Sequence, residues 1–251
     1  MKKFHLYIFM TLLFSCAVNA ADFSQLEAAK AQLQEGVDTQ KERVLLSSLR
    51  AFKRLRREYP SHLKWLLNHY IGLNYYRLGT YYHHVANNEE WAEESYQKGL
   101  KALKRSANQH PFAETDALIS AINGNLIPLS WWWSKISLGM KSGDYIEKAR
   151  KAGPQNPRVW LLSGIGRIFT PKTYGGGAEP ALRDLNKSIR LFENQGANLG
   201  EIPLPSWGID EAYYWQGIVF QKLGRDREAL AAFRKARRIN PRNARAASKL
   251  K

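Results

Sequence analysis

The chain has 251 residues, of which 44% are hydrophobic and 24% charged, and Lys and Arg outnumber Asp and Glu by 38 to 22. A chain this long, with this apolar content and eight Trp, can bury a sizeable core, which excludes a disordered or fibrous protein. The formal net charge of +16 favours an anionic partner, such as an acidic protein or an anionic membrane surface.

The first twenty residues are typical of a secretory signal peptide. Lys2 and Lys3 precede an apolar run over residues 4–18, and Val18-Asn19-Ala20 suits cleavage after Ala20. The run is short for a transmembrane helix, although an uncleaved N-terminal anchor stays open as an alternative. We therefore expect residues 1–20 to be removed and the protein to be periplasmic or secreted. An exported protein rarely meets nucleic acid, so we expect no nucleic-acid partner.

The chain has a single cysteine, Cys16. Leu13-Phe14-Ser15-Cys16 has the form of a lipoprotein processing box, except that bulky Phe14 stands where a small residue is usual. A lipoprotein is therefore the less favoured form. Cleavage after Ala20 leaves a chain with no thiol for a disulfide or a thiolate metal site, and we predict no cofactor.

Residues 21–193 carry the pattern of successive helix pairs that diverge from one another in sequence. Phe52, Leu55 and Pro60 predict the end of an N-terminal pair. Small and aromatic residues recur over 72–79 and again over 92–99, which predicts a longer second pair.

Two further pairs follow. Trp131–Leu138 is assigned to the first helix of a pair that ends near Pro157. Gly164 lies in the first helix of the next pair and Ala181 in its second, with the glycine-rich turn Thr170–Gly177 between them. Five glycines and prolines predict a loop at residues 194–208, and Trp207 would hold that loop to the surface.

The clearest pattern lies in the C-terminal segment 209–251. Tyr213, Gly217 and Phe220 step by four and three along one helix face, and Ala229, Phe233 and Ala236 do the same along the next. The small residues mark where two helices approach closely, so we expect Gly217 to lie against Ala229. This unit of 34 residues, Asp210–Asn243, resembles the tetratricopeptide repeat (TPR) family.

Two other segments carry resemblances. Pro171–Ala181, with its run of three glycines, and Pro205-Ser206-Trp207-Gly208 are similar to a group of exported bacterial TPR proteins of unassigned function. Ser130–Phe192 is more loosely similar to the T component of tripartite ATP-independent periplasmic transporters, an all-helical repeat protein. Together with the helix-pair pattern, these resemblances imply an all-α solenoid of about four to five stacked, TPR-like helical hairpins.

Catalytic and metal-binding motifs are weak. The glycines at 175–177 lack the Gly-Lys-Ser/Thr ending of a phosphate loop, so a glycine turn is preferred to an anion site. His83 and His84 near Glu89–Glu94 do not have a zinc-ligand spacing. There is no Gly-x-Ser-x-Gly nucleophile motif, and we expect a protein that is not an enzyme.

The phase of the first helices predicts a largely apolar groove on the concave side, in which aromatic residues and a few polar ones contact a partner. The predicted groove residues are His69, Tyr76, Arg77, Trp131, Trp132, Trp133, Ile165, Tyr214, Ile218, Gln221 and Lys222. Only Arg77 and Lys222 fit a clamp for a C-terminal carboxylate, which makes such a clamp doubtful.

The sequence supports two functional hypotheses. The first is an exported scaffold that binds a protein or peptide in the concave groove through shape and apolar contacts. The second is an accessory protein of envelope transport that binds a small ligand in a cavity walled by Trp131–Trp133 and Tyr75-Tyr76. Basic residues in 222–251 and on one face of residues 50–57 suit an anionic membrane or an acidic partner, or form a solvated surface.

Overall fold

A computed structural model describes the backbone of residues 6–194 and 204–251, with side chains from residue 23 onward. The described residues form eleven α-helices and no strand. The helices are α1 (Leu6–Thr39), α2 (Glu42–Glu58), α3 (Lys64–His84), α4 (Glu89–Gln109), α5 (Ala113–Leu126), α6 (Trp132–Ala152), α7 (Pro157–Phe169), α8 (Ala178–Asn194), α9 (Ile209–Lys222), α10 (Asp226–Ile239) and α11 (Ala244–Ser248).

Parts of three predictions lie outside these residues. The side chains of the signal-peptide cleavage site and of the lipidation box are not among those described, and neither are residues 195–203 of the predicted loop. Within the described part of the chain, no helix has the length and apolar character needed to cross a membrane.

Consecutive helices pair into five hairpins: α1 with α2, α3 with α4, α5 with α6, α7 with α8, and α9 with α10. Each connection inside a hairpin is short, so the two helices run antiparallel. The short helix α11 packs on α10 at the C-terminal end. This arrangement confirms the predicted all-α, TPR-like solenoid of about four to five hairpins.

In four of the five hairpins, a glycine of the first helix receives a side chain of the second helix. A Cβ atom added at such a glycine would lie within 2.4–2.7 Å of that side chain, so any larger residue would force the packed side chain to shift. The pairs are Gly36 with Leu45, Gly72 with Leu103, Gly79 with Tyr96, Gly164 with Leu185 and Gly217 with Phe233.

The last of these pairs lies at the crossing of α9 and α10. The atoms nearest to a Cβ added at Gly217 belong to the fully buried ring of Phe233, which fills the space at the crossing. Ala229 is also buried and contributes to the same core.

The third hairpin differs from the sequence prediction in its boundaries. The sequence pattern assigns Trp131–Leu138 to a first helix, but the structure has one long helix, α6, as the second helix of the hairpin. The chain turns at residues 127–131, where Pro128 cannot continue α5. Ser120 and Ser142 join the two helices through hydroxyl-to-carbonyl hydrogen bonds of 2.7 and 3.0 Å.

The N-terminal and C-terminal ends of the solenoid meet. Helix α1 contacts α11, and the side-chain amide of Asn240 donates to Asp38 at 2.8 Å and to Asp210 at 2.9 Å. Helix α3 is buried on almost every side. The concave side is thus narrowed by this contact and partly filled by α3, and we call it the interior.

Candidate functional site

The interior contains a non-helical segment of the chain itself, Leu204–Gly208, in which Trp207 is half-buried and Ser206 exposed. We call it the inner segment. Trp207 is its main contact: the indole N–H donates to Glu114 Oε1 at 3.1 Å. The guanidinium carbons of Arg77 and Arg158 lie 4.6 and 5.9 Å from the centre of the indole ring. Both distances are within the range of cation–π attraction.

The backbone of the inner segment is also held. Lys30 Nζ donates to the Leu204 carbonyl at 3.0 Å. Gly208 has a φ of 117° and packs on Phe192, where a Cβ would lie 2.9 Å from the ring. Glycine is therefore needed at the point where the segment enters α9.

A buried ion pair lies beside Trp207. Arg77 donates from Nη1 and Nη2 to the two carboxylate oxygens of Glu211 at 2.9 and 2.5 Å. Arg245 Nη2 lies 3.4 Å from the same carboxylate. Burial alone would raise the pKa of Glu211, but the guanidinium groups of Arg77 and Arg245 outweigh that effect and hold it below its usual range. Glu211 is therefore a carboxylate at neutral pH.

A second buried cluster surrounds Glu114, which is fully buried. His69 Nδ1 lies 2.9 Å from the Thr115 hydroxyl, and His69 Nε2 lies 3.4 Å from Glu114 Oε1. Arg158 Nε is 3.9 Å from Glu114 Oε2, and burial lowers the pKa of Arg158 although Glu114 opposes this. His69 Nε2, Glu114 Oε2 and Arg158 Nε have no hydrogen-bond partner. These atoms are buried together with their neighbours, and they face one another within the cluster.

A cleft of about 360 Å³ opens next to the inner segment, between α1, α3 and the start of α9. Its walls combine the apolar side chains of Leu33, Leu73 and Trp207 with the charged groups of Lys30 and Asp38. Within the described part of the chain, no group of three or more His, Cys, Asp or Glu side chains is arranged to hold a metal ion.

The structure distributes the predicted groove residues over three environments. Three are buried in the interior: His69, Tyr76 and Arg77. Five lie along α7 and α9, the first three half-buried and the last two exposed: Ile165, Tyr214, Ile218, Gln221 and Lys222. Three are exposed at the start of the outer helix α6, Trp131 as the residue that precedes it: Trp131, Trp132 and Trp133.

The interior therefore differs from the predicted apolar groove, because charged pairs line it. Sequence reasoning missed Lys30, Glu114, Arg158 and Glu211, although it predicted that Trp207 holds its loop to the rest of the protein. No signal in the sequence marks them, because an acid near the start of a helix, as at Glu114 and Glu211, is equally common on exposed helices.

Comparison with known proteins supports the fold. The tetratricopeptide repeat family model matches residues 210–243. These residues form a tetratricopeptide repeat. HusA haemophore from Porphyromonas gingivalis is similar in structure, with a TM-score of 0.63 and 16% identity over 78% of this chain and 93% of that one.

Two further solved structures are more distant. Yeast Tom70 has a TM-score of 0.47 and 14% identity, covering 92% of this chain and 51% of its own. The assembly chaperone Acl4 of RpL4 has a TM-score of 0.39 and 13% identity, covering 91% and 94%. No curated protein sequence matches this chain.

Proposed function

We propose that the protein is an exported, non-enzymatic TPR scaffold that binds an extended, aromatic-containing peptide of a protein partner in its concave interior. The observation that supports this most directly is the inner segment. A non-helical stretch of chain already lies where such a peptide would lie, held by one carbonyl contact and one indole.

The interior suits a peptide for chemical reasons. Arg77 and Arg158 present cationic groups to an aromatic ring, which selects Trp or Tyr as the anchoring side chain. Glu114 accepts a hydrogen bond from an indole N–H. The inner segment already occupies these contacts. A partner peptide would therefore displace it and take over the same contacts.

The test uses a fluorescent peptide with the sequence of residues 204–208, Leu-Pro-Ser-Trp-Gly, and measures its binding by anisotropy. The Trp207→Ala variant loses the anchor of its own segment and should bind this peptide. The same peptide with Ala in place of Trp should bind at least tenfold more weakly.

The matched control is Trp91→Ala, which removes a half-exposed tryptophan outside the interior and leaves the inner segment in place. This variant should bind the peptide no better than the unmodified protein does. The proposal would be contradicted if the Trp207→Ala variant binds neither peptide although its circular dichroism spectrum shows unchanged helix content.

A second candidate function is the binding of a small molecule in the cleft of about 360 Å³ beside Trp207. None of the tryptophans at 131–133 lines this cleft. HusA is named a haemophore, which makes haemin the first probe to titrate. A saturable absorbance change in the unmodified protein that is lost in Leu73→Trp, where the larger side chain fills the cleft, would favour this candidate.

Export has its own test. Cleavage after Ala20 would leave a protein that starts at Ala21 and keeps Leu26, Ala29 and Leu33, the residues through which α1 joins the core. We expect the mass of the protein recovered from a periplasmic fraction to match residues 21–251. A mass that includes residues 1–20 would favour the uncleaved anchor, and a lipid mass on Cys16 would favour the lipoprotein.

A further inference from the structure

Helix α6 carries a concentrated exposed apolar surface. Trp131, Trp132, Trp133, Ile136 and Met140 are 73, 72, 59, 70 and 66% exposed. We call these five residues the apolar edge. They are five of the eleven large hydrophobic side chains that are exposed among the described residues, so exposure of this kind is concentrated on one helix end.

The apolar edge is the outer face of an amphipathic helix. Ser134, Leu138 and Ser142 recur at steps of four on the side that packs against α5. Trp132, Ile136 and Met140 recur at the same step on the opposite side, because successive helical residues turn by about 100°.

Two lysines flank the stripe formed by Trp132, Ile136 and Met140. At about 100° per residue, Lys135 lies beside the stripe on one side and Lys141 on the other, and both are exposed. Residues 126–143 contain no Asp or Glu. The stripe is therefore apolar at its centre and positively charged at its borders.

The turn of the neighbouring hairpin carries a similar set of exposed side chains. The turns inside antiparallel hairpins lie at one edge of a solenoid, so the α7–α8 turn lies on the same side as the start of α6. That turn exposes Phe169 by 68% and Tyr174 by 83%, next to the exposed Lys172. Two adjacent hairpin ends thus share the same combination of aromatic and cationic side chains.

We propose that the apolar edge inserts shallowly into the interface of an anionic lipid bilayer and so attaches the protein to a membrane surface. Tryptophan side chains concentrate at the boundary between lipid headgroups and acyl chains, and flanking lysines reach anionic headgroups. A second copy of this chain would carry the same charge of +16 and be repelled, whereas an anionic bilayer attracts it.

The experiment mixes the full chain with vesicles of phosphatidylcholine and phosphatidylglycerol in which the phosphatidylcholine is brominated, and follows tryptophan fluorescence. Bromine quenches only indoles within the bilayer, so the readout reports on the apolar edge even if the apolar N-terminal residues 4–18 also bind. We expect strong quenching for the unmodified protein and at most half that quenching for Ile136→Ser/Met140→Ser, which keeps every tryptophan.

The matched control is Leu230→Ser/Ile239→Ser, which removes two exposed apolar side chains from α10 and should leave quenching unchanged. In Lys135→Glu/Lys141→Glu, the tryptophan fluorescence should be quenched less, and the preference for vesicles with phosphatidylglycerol should be lost. Equal quenching in Ile136→Ser/Met140→Ser and the unmodified protein would overturn the proposal. The proposal would also be overturned if sedimentation shows that the unmodified protein is a dimer and that Ile136→Ser/Met140→Ser is a monomer. That result would assign the apolar edge to contact with a second copy.

Discussion

The buried pair between Arg77 and Glu211 joins α3 to α9, which are 134 residues apart in sequence at this contact. Their side chains are only 8 and 2% exposed. We expect Arg77→Met to be strongly destabilising, because it leaves the Glu211 carboxylate buried without its bidentate partner. Removal of one member of such a pair typically costs about 3–5 kcal/mol of unfolding free energy.

The geometry places the expected loss near the lower end of that range. Arg245 remains 3.4 Å from Glu211 and keeps part of the charge compensated, so we expect about 3 kcal/mol. For a chain of this size the midpoint of thermal unfolding should fall by about 6–12 °C.

The assay is urea unfolding at neutral pH, followed by circular dichroism. The double variant Arg77→Met/Glu211→Leu removes both charges and should recover to within about 1 kcal/mol of the unmodified protein. Lys98→Met is the control, since it breaks an exposed pair with Glu94 and should cost less than about 0.5 kcal/mol. A loss below about 1 kcal/mol for Arg77→Met, or a double variant less stable than either single variant, would refute the reasoning.

Two further predictions concern packing and pH. Gly217→Ala would place a Cβ 2.5 Å from Phe233 and should lower the unfolding free energy by about 1–3 kcal/mol. Gly166→Ala, in the same kind of first helix but with no heavy atom within 4 Å of the added Cβ, should be neutral or stabilise by up to about 1 kcal/mol. The pair can be compared in one urea series, and equal losses at both positions would contradict the close approach. Because the pKa of Glu211 is lower in the folded state than its usual value of 4.5, its contribution to stability is present above that value and lost as pH falls through the folded pKa. Stability measured from about pH 6 to pH 3 should therefore fall less steeply for Glu211→Gln than for the unmodified protein, and parallel curves would show that this carboxylate does not titrate as described.

Local periodicity made the helices predictable. The four-three steps of Tyr213, Gly217 and Phe220 mark one face of α9 whatever that face touches, so the helix and its buried side follow from residues close in sequence. The same reasoning identified the second and fourth hairpins.

The interior could not be predicted in the same way. Glu114 and Glu211 lie near the starts of their helices, where an acid is expected on any exposed helix. Their burial depends on Arg158 and Arg77, each supplied by another hairpin, and on the meeting of the two ends of the solenoid. For the tryptophans at 131–133, helix geometry predicts that all three cannot enter one core stripe. All three are exposed, because α6 is an outer helix and only one of its residues, Ala149, is buried.

The contact of Asn240 with Asp38, across 202 residues, has a consequence for how the protein unfolds. An open repeat array can lose a terminal unit and keep the rest, because each unit depends only on its neighbours. Here the first and last hairpins hold each other, so trimming either one removes support from both. We expect a single cooperative transition without fraying from the ends, and a chain that tolerates neither insertion nor deletion of a whole repeat.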